Sequence, residues 1–132
     1  MRREEIERYR EEMRQSMLEL SKNGYKCYMV DHDGFLYGFM VTPSDNVLYV
    51  HRNEWAFRGW DFAFEYVPSA KNGTGCGCLE DPTSDMSIET VQRAEKEGDR
   101  CASRLHATRY KNSDQWLKNY WRKEDLIQIT AQ

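Results

Sequence analysis

A glycine-rich segment carries the two cysteines whose spacing is most suggestive of chemistry. It reads GTGCGC over residues 73–78, with thiols at Cys76 and Cys78. Two thiolates this close can share a soft metal, but a closed zinc site takes about four ligands, usually separated by two to four residues. No second pair at such spacing occurs in the chain. Two interpretations stay open: a metal- or thiol-dependent site with zinc as cofactor, or ordinary thiols in a loop.

Basic and aromatic residues interleave in the C-terminal third of the chain. The basic set is Arg109, Lys111, Lys118, Arg122 and Lys123, and the aromatic set is Tyr110, Trp116, Tyr120 and Trp121. Such a mixture can hold phosphates and stack bases, which makes nucleic-acid binding one hypothesis. The alternative is a helix whose aromatic residues are core and whose basic side chains cover the core's edges.

A group of three aromatic residues and one arginine follows the third predicted strand. Trp55, Phe57, Arg58 and Trp60 are of the types that anchor protein interfaces. They predict a protein partner, with burial in the core as the alternative.

No arrangement of residues matches a known catalytic pattern. Asp61 and Glu65 lie four residues apart on a predicted strand, about 13 Å, which is beyond the separation of a glycosidase pair. The run from Asp31 to Gly34 resembles the start of a calcium loop but lacks its later ligands. These observations favour a non-enzymatic protein.

Composition indicates a soluble protein of 132 residues, which is the usual size of a single domain. The net charge of −3 argues against broad binding to phosphate backbones, and the 13% aromatic content argues against disorder. The chain has no apolar run long enough for a membrane span, and its first residues, MRREEIERYREEM, do not predict a secretory signal. We therefore expect a cytoplasmic protein with reduced cysteines and no membrane partner.

The first predicted element is an amphipathic helix over residues 2–23, ended by Gly24. Its apolar stripe consists of Ile6, Tyr9, Met13, Met17 and Leu20. Four strands separated by short turns then predict an antiparallel meander. The predicted strands are Tyr25–Asp31, Phe35–Thr42, Val47–Arg52 and Gly59–Val67.

Helices return after a long loop over residues 68–85. Ser87 is the predicted N-cap of a helix that reaches about His106, and Ser113 that of a shorter helix over Asp114–Lys123. Leu126–Thr130 is a candidate for a final strand. The predicted fold class is α+β: a four-stranded antiparallel meander packed against an N-terminal helix and one or two C-terminal helices.

The overall profile is short, acidic, aromatic-rich and without a catalytic signature. It resembles the small accessory proteins of phages and mobile elements, among them anti-CRISPR proteins. The resemblance covers the profile of the whole chain rather than particular residues, so it transfers no site. It implies a non-enzymatic inhibitor or regulator that binds a protein partner. Nucleic-acid binding and the Cys76–Cys78 site are the alternatives.

Overall fold

A helix, four consecutive strands, a second long helix and a final strand follow one another along the chain, in the order that the sequence predicts. The computed structural model describes residues 3–30, 36–52, 62–67, 85–104, 113–114, 117 and 126–130. Its elements are α1 (Arg3–Ser21), β1 (Lys26–Val30), β2 (Leu36–Val41), β3 (Val47–Arg52), β4 (Phe62–Val67), α2 (Ile88–Arg104) and β5 (Leu126–Ile129). The predicted α+β fold is confirmed.

The strands form one antiparallel sheet in the order β4-β3-β2-β1-β5. Strands β1 to β4 are the predicted meander. Strand β5 pairs with the free side of β1, where Cys27 lies opposite Ile129 and Val30 opposite Leu126. The candidate strand near the C-terminus therefore extends the sheet from four strands to five.

The apolar stripe from which α1 was predicted packs into the core. Met13, Met17 and Leu20 are buried, and Ile6 and Tyr9 pack against the same core. The helix ends in a Schellman motif: the amide of Tyr25 donates to the carbonyl of Leu20 (3.3 Å) and that of Gly24 to Ser21 (3.4 Å). Gly24 has a φ of 88°, which a residue with a Cβ adopts only at a cost.

The helix α2 begins at the predicted cap. The Ser87 hydroxyl accepts the amide of Thr90 (3.3 Å), and an Asp85 carboxylate oxygen accepts the amide of Ser87 (3.0 Å). Val91 and Ala94 are buried on the side that packs against the sheet. Within the described part of the chain, neither helix has the length and apolar character needed to cross a membrane.

Both faces of the sheet carry buried side chains, because alternate residues of a strand point to opposite faces. One face packs under α1 and α2 through a core that includes Met29, Met40, Leu48, Val50 and Phe64. The opposite face holds a second cluster, Tyr28, Val30, Phe39, Val41, Val47 and Leu117. Residue 113, the predicted N-cap, and residues 114 and 117 of the predicted short helix are helical, and Leu117 belongs to that cluster.

The turn between β2 and β3 is hydrogen-bonded to α2 on one face of the sheet and to Ser113 on the other. Asp45 has a φ of 65°, and the amide of Thr42 donates to the Asn46 carbonyl (2.8 Å). Glu95 of α2 accepts hydrogen bonds from the Thr42 hydroxyl and from the Asn46 amide nitrogen (2.7 Å). From the opposite face, Ser113 donates its amide to the Asp45 carboxylate (2.9 Å) and its hydroxyl to the Asp45 carbonyl (2.6 Å).

Helix α1 approaches the sheet closely at Gly38. A Cβ at this position would lie 2.3 Å from the Tyr28 carbonyl oxygen and 2.8 Å from the Met17 methyl carbon. The carbonyl belongs to the neighbouring strand, so it cannot move without disturbing the pairing of β1 with β2. The absence of a side chain at residue 38 therefore sets the distance between helix and sheet.

We predict that Gly38→Ala lowers the free energy of unfolding by at least ~2 kcal/mol, because the added methyl group overpacks the core and displaces backbone. Urea unfolding followed by circular dichroism measures the change. Gln92→Ala, on the exposed side of α2, is the control and should shift stability by less than about 0.5 kcal/mol. Equal midpoints for the two variants would contradict the packing described here.

Candidate functional site

All of the site residues predicted from sequence lie outside the described residues. This holds for the predicted partner anchors Trp55, Phe57, Arg58 and Trp60. It also holds for the basic set Arg109, Lys111, Lys118, Arg122 and Lys123, and for Cys76 and Cys78. These assignments stay predictions.

Cys27 is the one cysteine with a described side chain, and its thiol is fully buried in β1. Burial raises the pKa of the Cys27 thiol to about 12, which keeps it protonated and unreactive at neutral pH. Among the described residues, no group of three or more histidine, cysteine, aspartate or glutamate side chains is placed to hold a metal ion.

A groove runs between α1 and the start of α2. It consists of two adjoining cavities of about 390 and 370 Å³ that share Ser16, Asp85 and Met86 as lining residues. The buried side chains of Leu20, Phe62 and Met86 form its apolar floor. We call this feature the acidic groove, because its walls carry carboxylates.

The carboxylates of the acidic groove come from two helices that are far apart in sequence. They are Glu11, Glu12 and Glu19 from α1, and Asp85 and Glu89 from the start of α2. No lysine or arginine is among its described lining residues. Three of these carboxylates are ion-paired with cations that do not line the groove: Glu11 with Arg14, Glu12 with Arg52 and Glu19 with Lys22. The groove therefore combines carboxylates at its walls, their charge partly compensated, with an apolar floor.

Two of these carboxylates are held in the ionised form by their neighbours. Hydrogen bonds from Arg14 (2.9 and 2.7 Å) and from Gln15 (2.9 Å) lower the pKa of Glu11 to about 2. The Ser87 amide and the Thr90 hydroxyl (2.7 Å) lower the pKa of Asp85. Both groups remain negative across the physiological pH range.

Glu12 is fixed at the wall by an ion pair with Arg52 of β3. The Arg52 guanidinium lies between two rings, 4.2 Å from the centroid of Tyr9 and 4.4 Å from that of Phe62. The Arg52 side chain is only 10% exposed, whereas that of Glu12 is 49% exposed. This packing holds the arginine beneath the wall and leaves the glutamate accessible from the groove.

Sequence analysis did not identify the acidic groove, although α1 carries a signal for it. Glu12, Ser16 and Glu19 recur at steps of four and three, which places them on one side of the helix. Charges at such spacing are usual on a solvated helical face. Only the folded chain shows that Asp85 and Glu89 face them.

Comparison of the chain with protein-family models, with curated proteins and with solved structures finds no match. The function is therefore inferred from the geometry and charge of the acidic groove.

We predict that the free energy of unfolding falls as the pH rises above 9, because the Cys27 thiol is buried. The folded state holds this proton up to pH ~12, whereas the unfolded thiol loses it near pH 9, so the stabilising contribution is present below pH 9 and is lost as the pH rises to 12. The free energy of unfolding of the native protein should therefore fall toward that of Cys27→Ala, by up to ~1.4 kcal/mol per pH unit.

Urea unfolding of the two proteins at pH 8, 9, 10 and 11, with a phosphine reductant present, measures this difference. Most other ionisable groups are common to both proteins and cancel in the comparison, and the coupling of Cys27 to Tyr25 and Tyr28 is the smallest of the causes that raise the pKa of each tyrosine. A constant difference in stability across this range would mean that the thiol is not held protonated.

Proposed function

We propose that the protein is a protein-binding module whose acidic groove takes a basic, amphipathic segment of a partner protein. The observation that carries the proposal is the combination of five carboxylates with an apolar floor and no lining lysine or arginine among the described residues. A segment with apolar residues on one side and lysine or arginine on the other matches both features.

The dimensions of the groove support a helical occupant. Its lining residues in α1 run from Glu11 to Leu20, about 14 Å at the rise of an α-helix, and the wall continues to Asn23 just after the helix. A partner helix of about 12 residues would match this length. Leucine-sized side chains could lie over the floor and against the partly buried Ile88, and basic side chains could reach the carboxylates on either wall.

Electrostatic attraction gives this binding mode a marked dependence on salt. Exposed charges attract an oppositely charged partner over about 10 Å at 0.1 M ionic strength, and salt screens that attraction. The side chains of Glu11, Glu12 and Glu19 are all about half exposed or more. Contacts with the floor depend much less on salt.

The predicted anchors belong to the same proposal as a second contact. Trp60 precedes the groove residue Phe62 by two positions in the sequence. We propose further that binding inhibits or regulates the partner, which is the role implied by the resemblance to proteins of phages and mobile elements. A fall in the partner's activity on complex formation is the result expected from that role.

We predict that a 14-residue peptide of leucine and lysine at amphipathic helical spacing binds the acidic groove. Fluorescence anisotropy measures the dissociation constant. Glu19→Gln combined with Glu89→Gln should weaken binding at least tenfold, because two exposed carboxylates are lost from facing walls. The effect should shrink as salt is raised from 50 to 500 mM.

The matched control is Glu7→Gln combined with Glu4→Gln. This pair likewise removes one carboxylate from an exposed ion pair and one from the first turn of a helix. This control protein should bind the leucine–lysine peptide as tightly as the native protein does. A peptide with glutamate in place of lysine should not bind either of them. Equal losses in the two double variants would mean that overall charge, rather than the groove, binds the peptide.

Recovery of partners from a bacterial lysate extends the same test. Partners of the acidic groove should be retained after nuclease treatment and lost in the Glu19→Gln, Glu89→Gln protein. Partners that disappear with nuclease would instead favour the basic set from Arg109 to Lys123.

A further inference from the structure

Strand β5 forms one edge of the sheet. Its inner side pairs with β1 through four residues, from Leu126 to Ile129. Alternate amide and carbonyl groups on its outer side have no strand partner within the described part of the chain. A row of such groups can accept a further strand.

The composition of this edge does not oppose pairing. Proteins commonly protect edge strands with lysine, proline or a bulge. Residues 126–130 read LIQIT and contain no charged residue, proline or glycine. A strand from another chain would therefore meet neither a desolvated charge nor a missing amide.

Ile127 is a half-exposed apolar side chain at this edge. It is 47% exposed, and among the described residues it is the exposed large hydrophobic side chain. It lies opposite Met29 of β1, on the face of the sheet that packs under α1. Its neighbour on that face, Ile129, is 7% exposed and belongs to the main core.

We propose that β5 pairs antiparallel with β5 of a second copy of this chain, about a two-fold axis that places Gln128 opposite Gln128. This register opposes every residue from 126 to 130, the most that the segment allows. Ile127 then lies opposite Ile129 of the second copy, and the two sheets become one sheet of ten strands.

The strand is complementary to itself in this register. A two-fold axis perpendicular to the sheet keeps α1 of both copies on the same face, so the two cores join through the Ile127–Ile129 contacts. On the opposite face, the two Gln128 side chains meet, and each primary amide can donate to the carbonyl of the other. Directly opposed apolar pairs of this kind stabilise strand association.

Sedimentation equilibrium of the full chain between 1 and 200 µM measures the association. We expect the weight-average mass to rise toward twice the monomer mass. Ile127→Lys should weaken dimerisation at least tenfold, because it places a cation at the centre of the interface. Gln92→Lys, which adds the same charge on the exposed side of α2, should dimerise like the native protein.

Cross-linking tests the register. In a Gln128→Cys protein the two new Cβ atoms would lie about 5 Å apart, close enough for a disulfide on oxidation with copper phenanthroline. In a Thr130→Cys protein each new thiol would face residue 126, and the two copies of residue 130 would be about 13 Å apart. A covalent dimer above the native background is expected only for Gln128→Cys.

Two results would overturn the proposal. A native chain that remains monomeric at 200 µM would show that β5 does not self-associate. A dimer that Ile127→Lys leaves unchanged, or that cross-links equally through residues 128 and 130, would assign the interface to another surface or register. Circular dichroism and urea unfolding of each variant verify that the monomer still folds.

Discussion

The left-handed conformation of Asp45 is the constraint on which the arrangement of the layers depends. With a φ of 65°, it allows the chain to reverse in the short turn between Val41 and Val47, the last pair of the β2–β3 ladder. Aspartate tolerates this conformation better than most residues. Glu95 of α2 contacts this turn from one face of the sheet, and Ser113 contacts it from the other. The geometry at Asp45 therefore sets the register of the β2–β3 hairpin and connects it to the residues that pack on both faces.

The position of α1 follows from a second local feature. Because Gly38 has no side chain, Met17 can approach the backbone of β1 and β2, and the helix lies close to the sheet. That position brings Tyr9 and Glu12 within reach of Arg52 on β3. The α1 wall of the acidic groove is thus placed by contacts in the core, several of them made by residues that do not line the groove.

Local patterns in the sequence predict much of the fold and almost none of the candidate site. The apolar stripe of α1, the cap at Ser87 and the bounds of β3 each depend on residues close together in the chain, and each is confirmed. The attachment of β5 to β1 and the burial of Arg52 depend on contacts between distant segments, which periodicity does not encode. The acidic groove is of the same kind, since Glu19 and Glu89 are 70 positions apart and each alone is typical of a solvated helix.

The carboxylates of the acidic groove differ in how closely they are tied to folding. Asp85 accepts the hydrogen bonds that start α2, and Glu12 neutralises an arginine held between two rings, so removing either would change stability as well as charge. Glu19 makes an exposed ion pair with Lys22, and such pairs contribute little to stability. Glu89 is an exposed residue in the first turn of α2, where the helix dipole favours a negative charge by about 0.3–1 kcal/mol. The negative charges of Asp85 and Glu12 are therefore tied to the stability of the fold. Those of Glu19 and Glu89, which lie on facing walls, contribute little to it. The proposed recognition of a basic segment rests on this charge, which the fold does not require and which lies beside an apolar floor.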